Sequence, residues 1–165
     1  ALPEILRRYP DAHILMVGAG PYKDHLAKMV SDLKVAGSIT FIGRIEHADL
    51  PRYISVGDVF AMPSRSRLAG LEVEGLGIVY LEASACELPV IAGKSGGAPD
   101  AVLEGETGIT VDGTNPSEIA KAVIALMDDP DRASAMGKQG RQWIYDNWRW
   151  EIWASKFNQL LYTNS

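Results

Sequence analysis

The 165 residues are 47% apolar and 22% charged, with a formal net charge of −5, which is the balance of one globular domain with a sizeable core. The acidic excess excludes a nucleic-acid-binding surface as the main feature. A single cysteine, Cys86, excludes a disulfide framework and a cysteine-based zinc site, and no apolar run approaches the roughly 18 residues of a spanning helix.

Residues 1–8 read as the tail of a helix already under way, which predicts a fragment of a longer protein. A β-type run over 13–17 stops at Gly18-Ala19-Gly20-Pro21, and helical spacing of Leu26, Met29, Val30 and Leu33 follows over 22–35. Residues 38–42 are strand-like and end at Gly43; 50–55 make a helical turn or two; 58–62 form a third strand stopped by Pro63. A loop over 64–74 precedes a helix over 77–87. Strand 88–92 then runs into Gly93-Lys94-Ser95-Gly96-Gly97, and a short helix over 99–103 leads to strand 108–111. The remainder turns helical, over 117–127, 131–145 and 150–162.

Strands that alternate with helices predict parallel pairing through right-handed crossovers. The expected fold is therefore α/β, a doubly wound, mostly parallel, Rossmann-like sheet with extra C-terminal helices. Ligands of such sheets bind beyond the carboxyl ends of the strands. The segments 18–20, 43–44, 64–74 and 93–97 all fall there.

The most telling stretch is Glu74-Gly75-Leu76-Gly77-Ile78-Val79-Tyr80-Leu81-Glu82. A helix start presents unpaired amides and partial positive charge, which suit a phosphate. Carboxylates on either side of it can accept hydrogen bonds from hydroxyls flanking that phosphate. A nucleotide sugar has this layout: hexose hydroxyls, diphosphate, ribose hydroxyls. Each carboxylate also has a plainer role, Glu74 complementing a helix start and Glu82 as a solvated helix position.

Other motifs fail on spacing. Gly18-Ala19-Gly20 opens like a dinucleotide fingerprint, but Lys23 stands where the third glycine belongs. Gly93-Lys94-Ser95 resembles the end of a P-loop whose first glycine would be Leu88. Gly93 to Gly97 also fits a nucleophile elbow, yet His13, His25 and His47 all lie upstream of it. Asp129-Pro130-Asp131 reads as a helix start, not a metal site. Cys86 sits in an apolar helical stretch and reads as a small hydrophobe. Trp143, Trp148, Trp150 and Trp153 crowd the last helices, for packing or for contact with a missing domain.

Seven segments follow one another in a known order: Val17-Gly18-Ala19-Gly20-Pro21, Phe41-Ile42-Gly43, Ala61-Met62-Pro63-Ser64, residues 74–82, Leu88-Pro89-Val90-Ile91-Ala92, Gly96-Gly97-Ala98-Pro99-Asp100 and Glu104-Gly105-Glu106-Thr107-Gly108. With them the chain resembles the C-terminal half of a retaining GT-B glycosyltransferase of family 4. Residues 64–76 are most similar to actinobacterial phosphatidylinositol mannoside mannosyltransferases.

The resemblance implies that 1–165 is a single nucleotide-sugar-binding domain without its N-terminal acceptor domain. It implies that the helix over 146–165 packs toward that domain. Glu74 is then the catalytic carboxylate on the donor sugar and Glu82 holds the ribose. Gly75, Leu76, Gly77 and Ile78 line sugar and phosphate. Phe41, Ile42, Gly43 and Arg44 run along the base, and Gly18, Gly20, Gly96 and Gly97 let backbone approach the pocket. The implied donor is GDP-mannose, with no cofactor and no metal. The implied acceptor is a lipid or polyol of phosphatidylinositol type, and the implied place is the cytoplasm with peripheral contact at the inner membrane face through the other domain. Leu76 stands where the family often has phenylalanine, and Asp100 where glutamate is common. Two acidic groups repel a diphosphate, and the family's arginine and lysine for it lie upstream of Ala1; Arg44, Arg65, Arg67 and Lys94 are the cations at hand. A regulatory nucleotide-binding module and a nucleotide-sugar epimerase half-domain are the alternatives.

Overall fold

The computed structural model describes residues 1–162; the end of the expected 146–165 helix, residues 163–165, lies outside the described residues. Strands β1 (Ile14–Val17), β2 (Ile39–Gly43), β3 (Phe60–Met62), β4 (Val90–Gly93) and β5 (Gly108–Val111) alternate with helices. The helices are α1 (Leu2–Arg8), α2 (Lys23–Asp32), α3 (Leu50–Ile54), α4 (Ile78–Ala85), α5 (Pro116–Asp128), α6 (Pro130–Asn147) and α7 (Trp150–Tyr162).

All pairing is parallel, as the alternation predicts, but the strands form two ladders and not one continuous sheet. Among the described residues β1 pairs β2, and β3-β4-β5 pair in that order. Ile14 sits opposite Ile39, Phe60 opposite Val90, and Val90 opposite Gly108. Strand existence is written in local composition; which edges meet depends on the crossovers between them.

Strand β4 explains why the fold is wound on both sides. Its four residues are all buried, and alternate side chains point to opposite faces. Val90 and Ala92 join a core with Tyr80 and Ala83 of α4, Ile54 of α3 and Ala98 and Ala101 after β4. Ile91 joins a second core with Val111 of β5, Ala122 and Leu126 of α5, and Ala133 and Met136 of α6.

Helix limits follow backbone chemistry. Asn115 caps α5 by accepting from the amides of Ser117 and Glu118, and Asp129 caps α6 through the Arg132 amide. Each of these helices starts with proline, a residue pre-set for the first turn. Helix α2 stops short of the expected residue 35, and Lys34 turns left-handed at φ +56°. Helix α4 ends at Ala85, with Glu87 at φ +62°. In the expected loop over 64–74, a 3₁₀ turn at Leu68–Gly70 and an antiparallel bridge between Arg67 and Glu72 add local order.

Helix α1 packs on α5, where Asp128 accepts from Tyr9 and Arg8. Helix α7 contains no buried residue, and Trp150 is 86% exposed on it. Trp148 links its neighbours, with ring centroids 5.7 Å from both Trp143 and Trp153.

Candidate functional site

The carboxyl ends of β3 and β4 converge on the turn before α4. Glu74 lies in that turn and is held at three points. Its carboxylate Oε2 accepts from Ser64 Oγ at 3.1 Å. Its amide donates to Ser95 Oγ at 3.2 Å, and Ser95 is buried. Its carbonyl accepts from the Gly97 amide at 3.2 Å, which also reaches the Gly75 carbonyl. The loops after β3 and β4 therefore fix both the backbone and the side chain of Glu74.

Close approach explains the glycines after β4. A Cβ at Gly97 would lie 2.2 Å from the Gly75 carbonyl oxygen, and one at Gly96 would lie 1.9 Å from that of Glu74. Helix α4 opens at Gly77, which has φ +73° and contributes no side-chain cap. The Tyr80 amide turns back to the Gly77 carbonyl at 2.9 Å, and the amides before it in the first turn are left to solvent or to a ligand. Among them is Ile78, whose side chain is exposed.

Beneath the turn lies Tyr80, fully buried. Its hydroxyl is 2.6 Å from Ser64 Oγ and donates to the Met62 carbonyl at 2.7 Å. Burial pushes this hydroxyl above its usual range, against the Ser64 hydrogen bond, and the charge of Glu74 adds to the rise. Tyr80 therefore stays a proton donor. Its ring meets Phe60 edge to face at 6.3 Å.

Glu82 belongs to a separate hollow. On the α3 side of α4, a depression of about 230 Å³ is lined by His47, Leu50, Pro51, Ile54, Glu82, Ala85 and Cys86. Here Glu82 Oε1 faces His47 Nε2 at 3.9 Å. The hollow beside Glu74, about 510 Å³, is bounded by Ser64, Arg65, Arg67, Leu71, Glu72 and Val73. Glu74 thus lies before the first turn of α4 and Glu82 on its second turn, and the two carboxylates face different hollows.

The remaining expected positions divide between the ladders. Gly18 donates its amide to the Gly43 carbonyl at 2.8 Å, which brings the loops after β1 and β2 together. Phe41, Ile42 and Gly43 are half-buried there and Arg44 is exposed; Gly20 is exposed in the same loop. Of the candidate cations, Lys94 pairs with Glu118 at 3.8 Å and Arg67 with Glu72 at 3.4 Å. Arg65 shares the hollow of Glu74. Among the described residues no group of three His, Cys, Asp or Glu side chains could hold a metal ion, and no helix is long and apolar enough to cross a membrane.

Sequence reasoning missed Ser64, Tyr80, Ser95 and His47. Tyr80 sits in an apolar helix and reads as core. Ser95 was visible only inside motifs that fail on spacing, and Ser64 only as the first residue of a loop and the last of one segment of the resemblance. His47 carries no local pattern; only the packing of α3 on α4 brings it to Glu82.

The family described as glycosyl transferases group 1 matches residues 1–143. A GDP-mannose-dependent α-(1-6)-phosphatidylinositol monomannoside mannosyltransferase of Mycolicibacterium smegmatis is 54% identical over 161 residues, covering 98% of this chain and 42% of that protein. A GDP-mannose-dependent monoacylated α-(1-6)-phosphatidylinositol monomannoside mannosyltransferase of Corynebacterium glutamicum is 44% identical, with the same coverage of both. Among solved structures, sucrose-phosphate synthase from Thermosynechococcus elongatus superposes with a TM-score of 0.85 at 30% identity, covering 99% of this chain and 42% of that one. The chain thus spans less than half the length of the curated relatives it matches.

Proposed function

The chain belongs to the glycosyl transferases group 1 family, and we propose that it forms the donor-binding half of a retaining mannosyltransferase. The donor is GDP-mannose and the acceptor a lipid-linked phosphatidylinositol mannoside. The whole enzyme's activity would need the acceptor-binding part that its relatives carry beyond this region.

One observation carries the reading. A half-buried glutamate, Glu74, is clamped at its backbone by the loop after β4 and at its carboxylate by Ser64 after β3, beside a helix start without a side-chain cap. Relatives whose names state GDP-mannose dependence match 98% of the chain.

In this proposal Glu74 accepts hydrogen bonds from mannose hydroxyls, and Glu82 accepts from the ribose. The amides of Gly75, Leu76, Gly77 and Ile78 face the sugar and diphosphate, where the partial positive charge of α4 offsets the phosphate charge. Phe41, Ile42, Gly43 and Arg44 run along guanine, with Gly18, Gly20, Gly96 and Gly97 giving the ligand close backbone approach. Stabilising the departing diphosphate is the main electrostatic task. Arg65 and Arg67 line the hollow of Glu74 and are the cations this chain offers for that role; the rest comes from outside this region. Helix α7 docks its apolar side chains on the acceptor-binding part, and that part brings the enzyme to the cytoplasmic face of a membrane.

Thermal unfolding of the full-length protein with GDP-mannose, UDP-glucose and ADP-glucose tests the reading. GDP-mannose should raise the melting temperature most, since a ligand that binds only the folded state stabilises it by mass action. No shift with any of the three would sink the donor assignment, and a larger shift with UDP-glucose would replace its base and sugar.

A further inference from the structure

We propose that Ser64 and Tyr80 are positioning residues that aim the Glu74 carboxylate, by a relay of hydroxyl protons anchored on the end of β3. The inference rests on the reading of Glu74 as the donor-sugar carboxylate.

Proton accounting fixes the direction of the relay. An ionised carboxylate only accepts. The Ser64 hydroxyl has two acceptors in reach, Glu74 Oε2 at 3.1 Å and the Met62 carbonyl at 3.4 Å, and the shorter, charge-assisted bond takes its one proton. Its oxygen is then left to accept, and Tyr80 lies 2.6 Å away with a proton to give. The Tyr80 hydroxyl also reaches the Met62 carbonyl at 2.7 Å, so its proton is shared between Ser64 and the last residue of β3. Burial keeps that proton on the oxygen. The ring cannot drift, being fully buried and edge-packed on Phe60.

The result is a carboxylate with its position referred to a β-strand through two rigid hydroxyls. One oxygen is occupied by Ser64. The other, Oε1, has no hydrogen-bond partner among the described residues and is left for a sugar hydroxyl. Hydrogen bonds to charged groups contribute more than neutral ones, and misplacing a reacting group by an ångström is costly to turnover. The relay should thus act on turnover more than on nucleotide affinity.

The test uses the full-length transferase with Ser64→Ala, Ser64→Thr and Tyr80→Phe, each alone and in a Glu74→Ala background. Ser64→Ala should lower kcat about ten-fold or more, on the worth of a hydrogen bond to a charged group, with the Kd for GDP unchanged. Ser64→Thr, which restores the hydroxyl, should recover most of that loss. Tyr80→Phe should lower kcat by a smaller factor, because Ser64 keeps its proton for Glu74. Neither Ser64→Ala nor Tyr80→Phe should cost anything further once Glu74 is alanine, since residues acting through one partner are non-additive. A loss that persists in the Glu74→Ala background, or GDP binding that falls in step with kcat, overturns the relay. A harmful Glu74→Ala beside a silent Ser64→Ala overturns the relay and leaves the site reading intact. A silent Glu74→Ala overturns the site reading itself, and the relay with it.

Discussion

Gly97 donates its amide to the Gly75 carbonyl at 2.8 Å, which locks the loop after β4 onto the turn that opens α4. A methyl group at residue 97 would sit 2.2 Å from that carbonyl oxygen. Gly97→Ala must therefore part the two segments. It should destabilise the domain by about 1–3 kcal/mol, the usual scale of overpacking, and weaken GDP binding as the turn moves. Urea unfolding and calorimetry of the same protein check both. Unchanged values in each would show that the two segments are not interlocked.

Glu82 tests the far side of the same helix. Loss of a charged acceptor worth roughly 1.5–3 kcal/mol predicts that Glu82→Gln weakens GDP binding about ten- to a hundred-fold. Titration calorimetry with GDP alone is sufficient. An unchanged dissociation constant removes Glu82 from the ribose and returns it to its plainer role beside His47.

Acid should loosen α1 from α5 through Asp128. The Tyr9 hydrogen bond, and the nearby Arg8 guanidinium, hold the Asp128 carboxyl below its usual value of 3.8. A depressed folded-state value means the stabilisation is present above the unfolded value and is lost as pH falls through the folded one. Urea midpoints followed from about pH 6 down to about pH 2 should therefore drop more steeply for the wild type than for Asp128→Asn. Part of the slope will survive the substitution, because Thr114 lowers the Asp112 carboxyl in the same way. Parallel curves would place the acid sensitivity elsewhere.

The cap of α5 offers a prediction free of the ligand. Asn115 Oδ1 accepts from the Ser117 and Glu118 amides at 3.1 and 3.2 Å. Asn115→Ala should cost about 1 kcal/mol of stability, read by urea unfolding. A change below a few tenths would show that solvent satisfies those amides equally well.

Much of this was legible in the sequence because it is written locally. Alternating β and helical periodicity gave each strand, and the run from Glu74 to Glu82 marked the turn and helix that carry the candidate site. What escaped depends on contacts between distant segments. Tyr80 has the pattern of a core residue and is one, yet its hydroxyl also reaches Ser64, sixteen positions earlier. Ser95 belongs to a failed motif and still holds the Glu74 amide. The division into two ladders escaped for the same reason, since parallel strands carry no mark of their neighbours.

All four tryptophans lie between positions 143 and 153, where α6 gives way to α7. Tryptophan fluorescence of this chain, excited apart from its six tyrosines, is therefore a gauge of that junction alone. An emission change on heating would record the parting of two helices while the sheet stayed dark, and a nucleotide entering beside α4 would pass unseen. A spectroscopic eye on the crevice has to be built in, and Phe41→Trp, in the middle of β2, puts an indole where guanine is expected.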